Sequence, residues 1–361
     1  MLKDYEGYFL NKEMIAYFED YKLYTLQLEI NQVCQQNCIY CYARESRGEE
    51  MSPDFIKSIL DEAAVMKVRK IEWLGGDCLL HSSWEELMAY AKYEHELINN
   101  IWTSGNQLKK PSITKKTIEL TSGGGFISVH LDSVNPEIYS DLTNGNLKYL
   151  KDTLKGIQNL IDFGKSPSEI LNCLALTGLQ VGGDFENTVQ YFHKEFGIPV
   201  TFISYKPTSK DPRLPISSQQ IKEAERLKTN VFYGQNIPII PQCVSKYYCG
   251  TTASIIPEIG DPTIGNFTVC SRIRQSFQKL EFGQSFKDEF NRVKDILLTR
   301  KLKDIINLPK DCQQCIYNNI CWGCRSNSWY YLGDVFAGDP RCWRRSQGIN
   351  YSGIFQDVLS T

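Results

Sequence analysis

The stretch Thr25-Leu-Gln-Leu-Glu-Ile30, followed after three residues by Cys34-Gln-Gln-Asn-Cys38-Ile-Tyr-Cys41, decides the reading of this chain. Leu26, Leu28 and Ile30 alternate with Thr25, Gln27 and Glu29, the two-residue period of a strand. The cysteines therefore stand on the loop at a strand's C-terminal end, where parallel βα barrels keep their active sites. Three clustered thiolates with no fourth nearby can ligate three irons of a 4Fe-4S cube and leave one iron open to an outside ligand. A structural zinc site would need four closed ligands, and no further cysteine or histidine lies close enough in sequence to complete it obviously.

Outward from that stretch the pattern repeats. Short apolar runs follow at Ile71 to Leu74, Ile101 to Thr103, Phe126 to Leu131, Ile170 to Leu176 and Val200 to Ser204, giving six strands. Helices fit between them. One starts with Ser52 as N-cap and Pro53 at its first position, with Ile56, Ile59, Leu60 and Ala63 at helical spacing. Another runs from Asp184, with Phe185, Thr188, Val189 and Phe192 on one face, and stops at Gly197 before Pro199. The alternation predicts an α/β fold, a partial (β/α)6 TIM-like barrel. Lys206 to Pro215 turns rich in Pro, Ser, Lys and Asp, and a helix is expected over Ser218 to Val231. Beyond it lie eight of the thirteen cysteines, in a region that reads as loop-rich and stapled by metal. The expected divisions are an N-terminal extension over 1–23, the barrel over 24–210, a linker and bridging helix over 211–242, and a cysteine-rich domain over 243–361.

Bulk properties narrow the function. With 361 residues and 42% hydrophobic content the chain can bury a substantial core. Forty basic residues against 42 acidic ones give a net charge of -2, so charge favours neither nucleic acid nor an anionic membrane surface. Met1 to Leu10 shows neither an export signal nor a spanning segment, and a cytoplasmic location is expected. Thirteen reduced thiols in that setting point to metal or catalysis rather than disulfides.

The C-x3-C-x2-C run, with Tyr40 before its third cysteine, resembles the signature of the radical S-adenosylmethionine (SAM) superfamily. The resemblance implies that Cys34, Cys38 and Cys41 hold a 4Fe-4S cluster whose open iron is chelated by SAM, which is cleaved to a 5'-deoxyadenosyl radical that abstracts a substrate hydrogen. Gly75-Gly76-Asp77-Cys78 is similar to the family's Gly-Gly-Glu-Pro loop, with Asp77 in place of Glu and Cys78 in place of Pro. Thr103-Ser104-Gly105 is similar to its Thr-Asn-Gly segment, and His130-Leu131-Asp132-Ser133 to its Ser-Leu-Asp-Gly segment. Tyr40, Gly75, Gly76, Asp77, Thr103, Ser104, His130 and Asp132 are thereby implied as SAM or substrate contacts. His130 and Cys78 are candidates for catalytic roles. Packing is the bland alternative for Cys78, and Cys173, inside an apolar run, reads as a small core residue.

The C-terminal spacing, Cys243-x5-Cys249-x15-Gly265-x4-Cys270 and then Cys312-x2-Cys315-x5-Cys321-x2-Cys324-x17-Cys342, resembles the SPASM extension of radical SAM enzymes. It departs in placing two residues between Cys321 and Cys324 where three are usual. The resemblance implies Cys243, Cys249, Cys270 and Cys324 on a first auxiliary 4Fe-4S cluster, and Cys312, Cys315, Cys321 and Cys342 on a second. Two zinc-ribbon sites are the alternative for the same eight residues. SPASM relatives mature sulfatases, quinone cofactors and ribosomal peptides, or act on small molecules. The sulfatase-maturing branch has a basic aspartate directly after its third auxiliary cysteine, whereas Ser271 stands here. Some twenty-three residues before the first strand are too few for a leader-binding domain. The leading expectation is modification of a peptide or protein, with a reducing partner such as flavodoxin or ferredoxin. The alternatives are a radical dehydrogenase or epimerase of a small metabolite and a non-catalytic zinc-binding protein. Tyr205 and Lys206, at the last predicted strand's end, could reach substrate, but an exposed lysine at a strand end is usually just solvated, and neither is counted among the site residues.

Overall fold

The computed structural model describes residues 11–43, 50–145, 147–234 and 245–345. Cys243 and the two chain ends of the expected divisions lie outside them. Six parallel strands form in the expected order: β1 (Thr25–Glu29), β2 (Lys70–Leu74), β3 (Ile98–Thr103), β4 (Ile127–Val129), β5 (Ile170–Leu176) and β6 (Val200–Ser204). Each pairs with the next, for example Leu28 opposite Trp73 and Leu174 opposite Phe202. Their side chains divide by parity. Leu26, Leu28, Ile71, Trp73, Ile101, Ile127 and Val129 point outward into a core shared with Phe55, Ile56, Ile59 and Leu60 of the helix Pro53–Val65. Gln27, Trp102, Ser128, Cys173 and Ala175 point inward and line a cavity. The parallel barrel thus keeps an inner face of mixed polar and apolar residues around a cavity, which is where chemistry can be housed.

Local signals hold. The Ser52 hydroxyl accepts from the Phe55 N–H at 3.2 Å and Pro53 opens the helix. The helix from Asp184 runs to Tyr191, widens by a turn over Phe192–Phe196, and ends at Gly197 with φ 65°. Ser218–Tyr233 begins in a capping box between Ser217 and Gln220.

Two strands differ in length from the expectation. β3 starts three residues earlier because Asn99 behaves as a core residue: its amide accepts from Trp73 Nε1 at 2.7 Å and donates to the Met88 carbonyl at 2.8 Å. β4 is shorter because the Leu131 N–H and C=O pair with the Asn172 side chain at 3.0 and 2.9 Å rather than with the ladder.

The larger correction concerns the C-terminal region, whose first part is sheet rather than loop. β7 (Thr252–Glu258) pairs in parallel with β1, Thr25 opposite Thr252, and β8 (Asp261–Thr268) and β9 (Gln278–Glu281) follow antiparallel, so one nine-stranded sheet runs β6-β5-β4-β3-β2-β1-β7-β8-β9. The sheet is therefore continuous across the expected 242/243 boundary. Small polar residues in Thr252-Ala-Ser and the bulge at Pro257 mask the strand pattern. The helix Phe286–Leu297 covers this extension, with Phe286 stacked on Phe267 at 5.6 Å. Arg274 fastens the extension to the barrel by a bidentate pair to Glu29, both contacts 2.9 Å.

Candidate active site

The inner face opens into a cavity of about 850 Å³. Cys34, Cys38, Tyr40 and Cys41 enter it from the loop after β1, Gly75 and Gly76 from the loop after β2, Thr103 and Ser104 from the end of β3, and His130 from the end of β4. Cys249, Cys270 and Cys324 line the same cavity. Of the residues singled out from sequence, these line one cavity, while Asp77, Cys78 and Asp132 are buried and do not line it.

The cysteine loop is held by the next loop. Gly76 N–H donates to the Asn31 carbonyl at 3.0 Å, Asp77 N–H to the Val33 carbonyl at 2.7 Å, and Asn31 Nδ2 to the Asp77 carbonyl at 3.0 Å. A Cβ at Gly75 would lie 2.4 Å from Asn31 Oδ1, and one at Gly76 would lie 2.3 Å from the Val33 oxygen and 2.9 Å from Cys34 Cβ. The glycines are needed because two backbones touch here. Asp77, where the family has glutamate, turns inward: Thr103 Oγ1 donates to it at 2.7 Å, as do the Leu79 N–H at 3.2 Å and the Ser104 hydroxyl and N–H. Burial raises its pKa while these donors pull the other way. It ties the loop after β2 to the end of β3. Cys78 is fully buried with its thiol donating to the Trp102 carbonyl at 3.3 Å, and burial followed by the neighbouring Asp77 pushes that thiol well up. Packing describes it. Cys173 is also buried, but on the inward face, with its thiol pushed up to about 12 chiefly by burial.

Tyr40 reaches across to β4. Its hydroxyl donates to Asp132, and His130 Nε2 lies 2.7 Å from that hydroxyl and 3.2 Å from Asp132 Oδ1. Burial disfavours the His130 cation, but Asp132 and the Cys173 carbonyl outweigh it and the pKa is raised. The imidazole keeps 31% of its surface open, facing the cavity. Asp132 is fixed further by the Ala175 N–H at 2.9 Å. Among the cysteines, the Cys38 thiol is pushed far up by burial, then by Asp132, Cys34 and Cys41. The three sulfurs are thus close enough to oppose one another's ionisation, and a bound metal would relieve that opposition.

In the C-terminal region, Cys249 closes the short helix Ser245–Cys249, and Cys324 caps the helix Arg325–Leu332, its N–H donating to Asp339 at 2.9 Å. The two-residue spacing of Cys321 and Cys324 is accommodated by Gly323 at φ +78°, where a Cβ would lie 2.6 Å from Asp339 Cβ, and by Trp322 buried against Phe18. Cys312, Cys315, Cys321 and Cys342 sit away from the cavity: Cys315 N–H donates to the Cys312 carbonyl, Cys342 N–H to the Asp339 carbonyl, and Arg344 lies 4.5 Å over Tyr317. No disulfide joins any of the twelve described cysteines, and among the described residues no three His, Cys, Asp or Glu side chains converge as ligands of one metal ion.

Sequence reasoning missed two cations. Lys206 is 5% exposed rather than solvated, its ammonium donating to the Ser204 carbonyl at 3.0 Å and to Asn327, which in turn donates to Asp339. Burial lowers its pKa. Arg272, two residues after Cys270, lines the cavity with Nη1 3.9 Å from Cys270 Sγ. An arginine placed two residues past a presumed ligand was the available signal. Gln27, Glu72 and Tyr248 form a buried cluster beside them: Gln27 Nε2 and the Tyr248 hydroxyl donate to Glu72 at 2.8 and 2.7 Å.

The profile of the radical SAM superfamily matches residues 28–192, the segment that carries the cysteine loop and β1 to β5. A probable GTP 3',8-cyclase of Methanococcus maripaludis (strain C5) is 30% identical over 218 residues, 58% of this chain and 70% of that protein. The same enzyme of Methanosarcina acetivorans is 30% identical over 200 residues, 54% of this chain and 57% of that protein, so the chain spans little more than half of it. Across the C-terminal region too the fold is similar to Streptococcus suis SuiB bound to precursor peptide SuiA (TM-score 0.62, 15% identity, 92% of this chain and 79% of that one). It is likewise similar to anSMEcpe with bound AdoMet and Cp18Cys peptide (TM-score 0.64, 12% identity, 93% and 98%). The chain belongs to the radical SAM superfamily, enzymes that use SAM and a 4Fe-4S cluster. Among the described residues no helix is long and apolar enough to cross a membrane.

Proposed function

We propose that this enzyme modifies a carbon centre of a peptide or protein and carries three 4Fe-4S clusters. Cys34, Cys38 and Cys41 hold the cluster that binds SAM. Cys249, Cys270 and Cys324, with Cys243, hold one auxiliary cluster, and Cys312, Cys315, Cys321 and Cys342 hold the other. The single observation that carries this reading is that two sets of three thiols line one cavity. Three thiolates can hold three irons of a cube and leave the fourth open, whereas a structural zinc ion needs four closed ligands. The bound cluster and SAM supply the 5'-deoxyadenosyl radical that abstracts a hydrogen atom. The chain's part is to position: Gly75 and Gly76 admit the cysteine loop, Asp77 fixes the end of β3, and Tyr40 with Asp132 fixes the end of β4. His130 faces the cavity with a raised pKa and is placed to give or take a proton there. A protein such as ferredoxin or flavodoxin supplies the electron.

The relatives named GTP 3',8-cyclase give a second reading, a nucleoside triphosphate substrate. Of the four cationic side chains in the cavity wall, Lys228 is paired with Glu225 at 2.8 Å and Arg325 is occupied by backbone carbonyls, which is little charge for a triphosphate. The likeness to two folds that hold peptides favours the peptide.

The test is anaerobic reconstitution of wild type and of the Cys34→Ala/Cys38→Ala/Cys41→Ala variant, with iron analysis and 5'-deoxyadenosine assay. Three clusters correspond to about twelve irons per chain in wild type and about eight in the variant, which forms no deoxyadenosine. Tightly bound zinc and no SAM cleavage would overturn the reading. A genomically adjacent short peptide that gains or loses mass under turnover, with GTP unchanged, decides between the substrates.

A further inference from the structure

We propose that Arg272, backed by Lys206, binds a carboxylate of the substrate inside the cavity. The inference rests on the peptide reading only for the source of that carboxylate, an acidic side chain or the peptide's C-terminus.

The basic side chains of the cavity wall differ in what they are paired with. Lys228 is neutralised by Glu225 at 2.8 Å. Arg325 spends its guanidinium on the carbonyls of Trp322, Gly323, Val335 and Ala337. Lys206 donates to the Ser204 carbonyl and hydroxyl and to Asn327, with no carboxylate in direct contact among the described residues. Arg272 is different. Its contact with a described acceptor is one N–H toward the Cys270 sulfur at 3.9 Å, and the rest of the fork faces the cavity. A guanidinium has five N–H donors in a rigid plane that matches a carboxylate two-on-two. The donors that are not turned toward Cys270 are free to take a ligand's carboxylate.

Position supports a substrate rather than a structural partner. The Arg272 carbonyl accepts from the Tyr330 hydroxyl at 2.8 Å, which fixes the backbone from behind. Ser271 beside it is anchored by its N–H to Gln27. The guanidinium therefore stands on a rigid base, among residues of the barrel's inner face and beside Cys270. Lys206 adds positive potential from the end of β6 without competing for the same ligand atoms, because its own donors are used. Glu72, a buried carboxyl on which the Arg272 charge acts, already takes its donors from Gln27 and Tyr248.

The experiment is anaerobic equilibrium dialysis of reconstituted enzyme, with saturating SAM, against four probes. N-acetylglutamate N-methylamide carries a side-chain carboxylate, N-acetylalanine a terminal one, N-acetylglutamine N-methylamide none, and succinate is a non-peptide dicarboxylate. At least one carboxylate probe is expected to bind tenfold or more tightly than the neutral amide. Arg272→Gln should abolish that preference and Lys206→Gln should reduce it, with iron content retained in both. Whichever of the first two probes binds identifies the source. Equal binding of charged and neutral probes to wild type overturns the proposal, as does a preference that survives in Arg272→Gln. Loss of SAM binding in Arg272→Gln with the probe preference intact assigns the guanidinium to SAM and also overturns it. If Arg272→Gln loses iron, Arg272→Lys decides: it keeps the charge and loses the fork, so a preference reduced at least threefold supports the site and an unchanged one overturns it. Succinate binding as well as either acetylated probe leaves the carboxylate site standing and removes its support for a peptide.

Discussion

The Tyr40 hydroxyl donates to the Asp132 carboxylate, so the loop that carries Cys38 and Cys41 is tied to the end of β4 through a buried, charge-assisted hydrogen bond. Removing it leaves a buried carboxylate short of a donor. Tyr40→Phe should therefore cost about 1.5–3 kcal/mol of stability, the range for hydrogen bonds to charged groups. Urea denaturation of the metal-free protein reads this directly, and an unchanged midpoint would mean that the tie does not hold the loop.

Gly76 predicts a defect of a different kind. A methyl group 2.3 Å from the Val33 oxygen cannot be accommodated without moving the segment that leads into Cys34. Gly76→Ala should lose about 1–3 kcal/mol, as overpacked sites do. It should also lose iron selectively from the N-terminal cysteines, leaving the C-terminal content intact. Iron analysis of the variant beside the Cys34/Cys38/Cys41 triple variant checks it.

Glu29 and Arg274 form a bidentate pair between β1 and the segment after β8, with the Glu29 side chain fully buried and Arg274 stacked 4.9 Å from the Tyr42 ring. Breaking one side strands the other charge. Arg274→Met should cost about 3–5 kcal/mol, whereas Glu29→Met/Arg274→Met should cost clearly less than the sum of the two single changes. A double-mutant cycle by thermal denaturation measures the difference.

Burial raises the pKa of Glu72 above its ordinary carboxylate value, so between the two values the folded protein holds a proton that the unfolded chain has lost. The contribution of Glu72 to stability is accordingly greatest below the ordinary carboxylate range and is lost as pH rises through the folded pKa. Glu72→Gln, which keeps an acceptor for Gln27 and Tyr248, should flatten that part of the pH profile and be relatively more stable near neutrality. Melting temperatures of both proteins from pH 4 to pH 8 give the comparison, and parallel profiles would contradict it.

The barrel was legible because its strands obey local rules. Alternation at Leu26, Leu28 and Ile30 marks β1 by itself, and Ser52-Pro53 marks a helix start by itself. The short segments after each strand identify the cavity because parallel topology brings strand ends together. What stayed hidden depends on partners distant in sequence. Asn99 is a strand residue because Trp73 and the Met88 carbonyl satisfy its amide. Lys206 is buried because Asn327, more than a hundred residues later, accepts from it. β7 pairs on one side with its hairpin neighbour β8 and on the other with β1, more than two hundred residues earlier. No local pattern encodes such pairings, so propensity alone assigned the first half of the C-terminal region to loop.

The pairing of β1 with β7 also sets an order in time. Gln27 waits for Ser254, 227 residues further along, before its side chain is satisfied. On the ribosome, the strand that bears the cysteine loop therefore emerges early and keeps one side bare until most of the chain has been made. Closure across so long a separation is slow. The cavity lined by Cys34, Cys38 and Cys41 therefore reaches its finished form only once synthesis has passed Cys249, Cys270 and Cys324, which also line it.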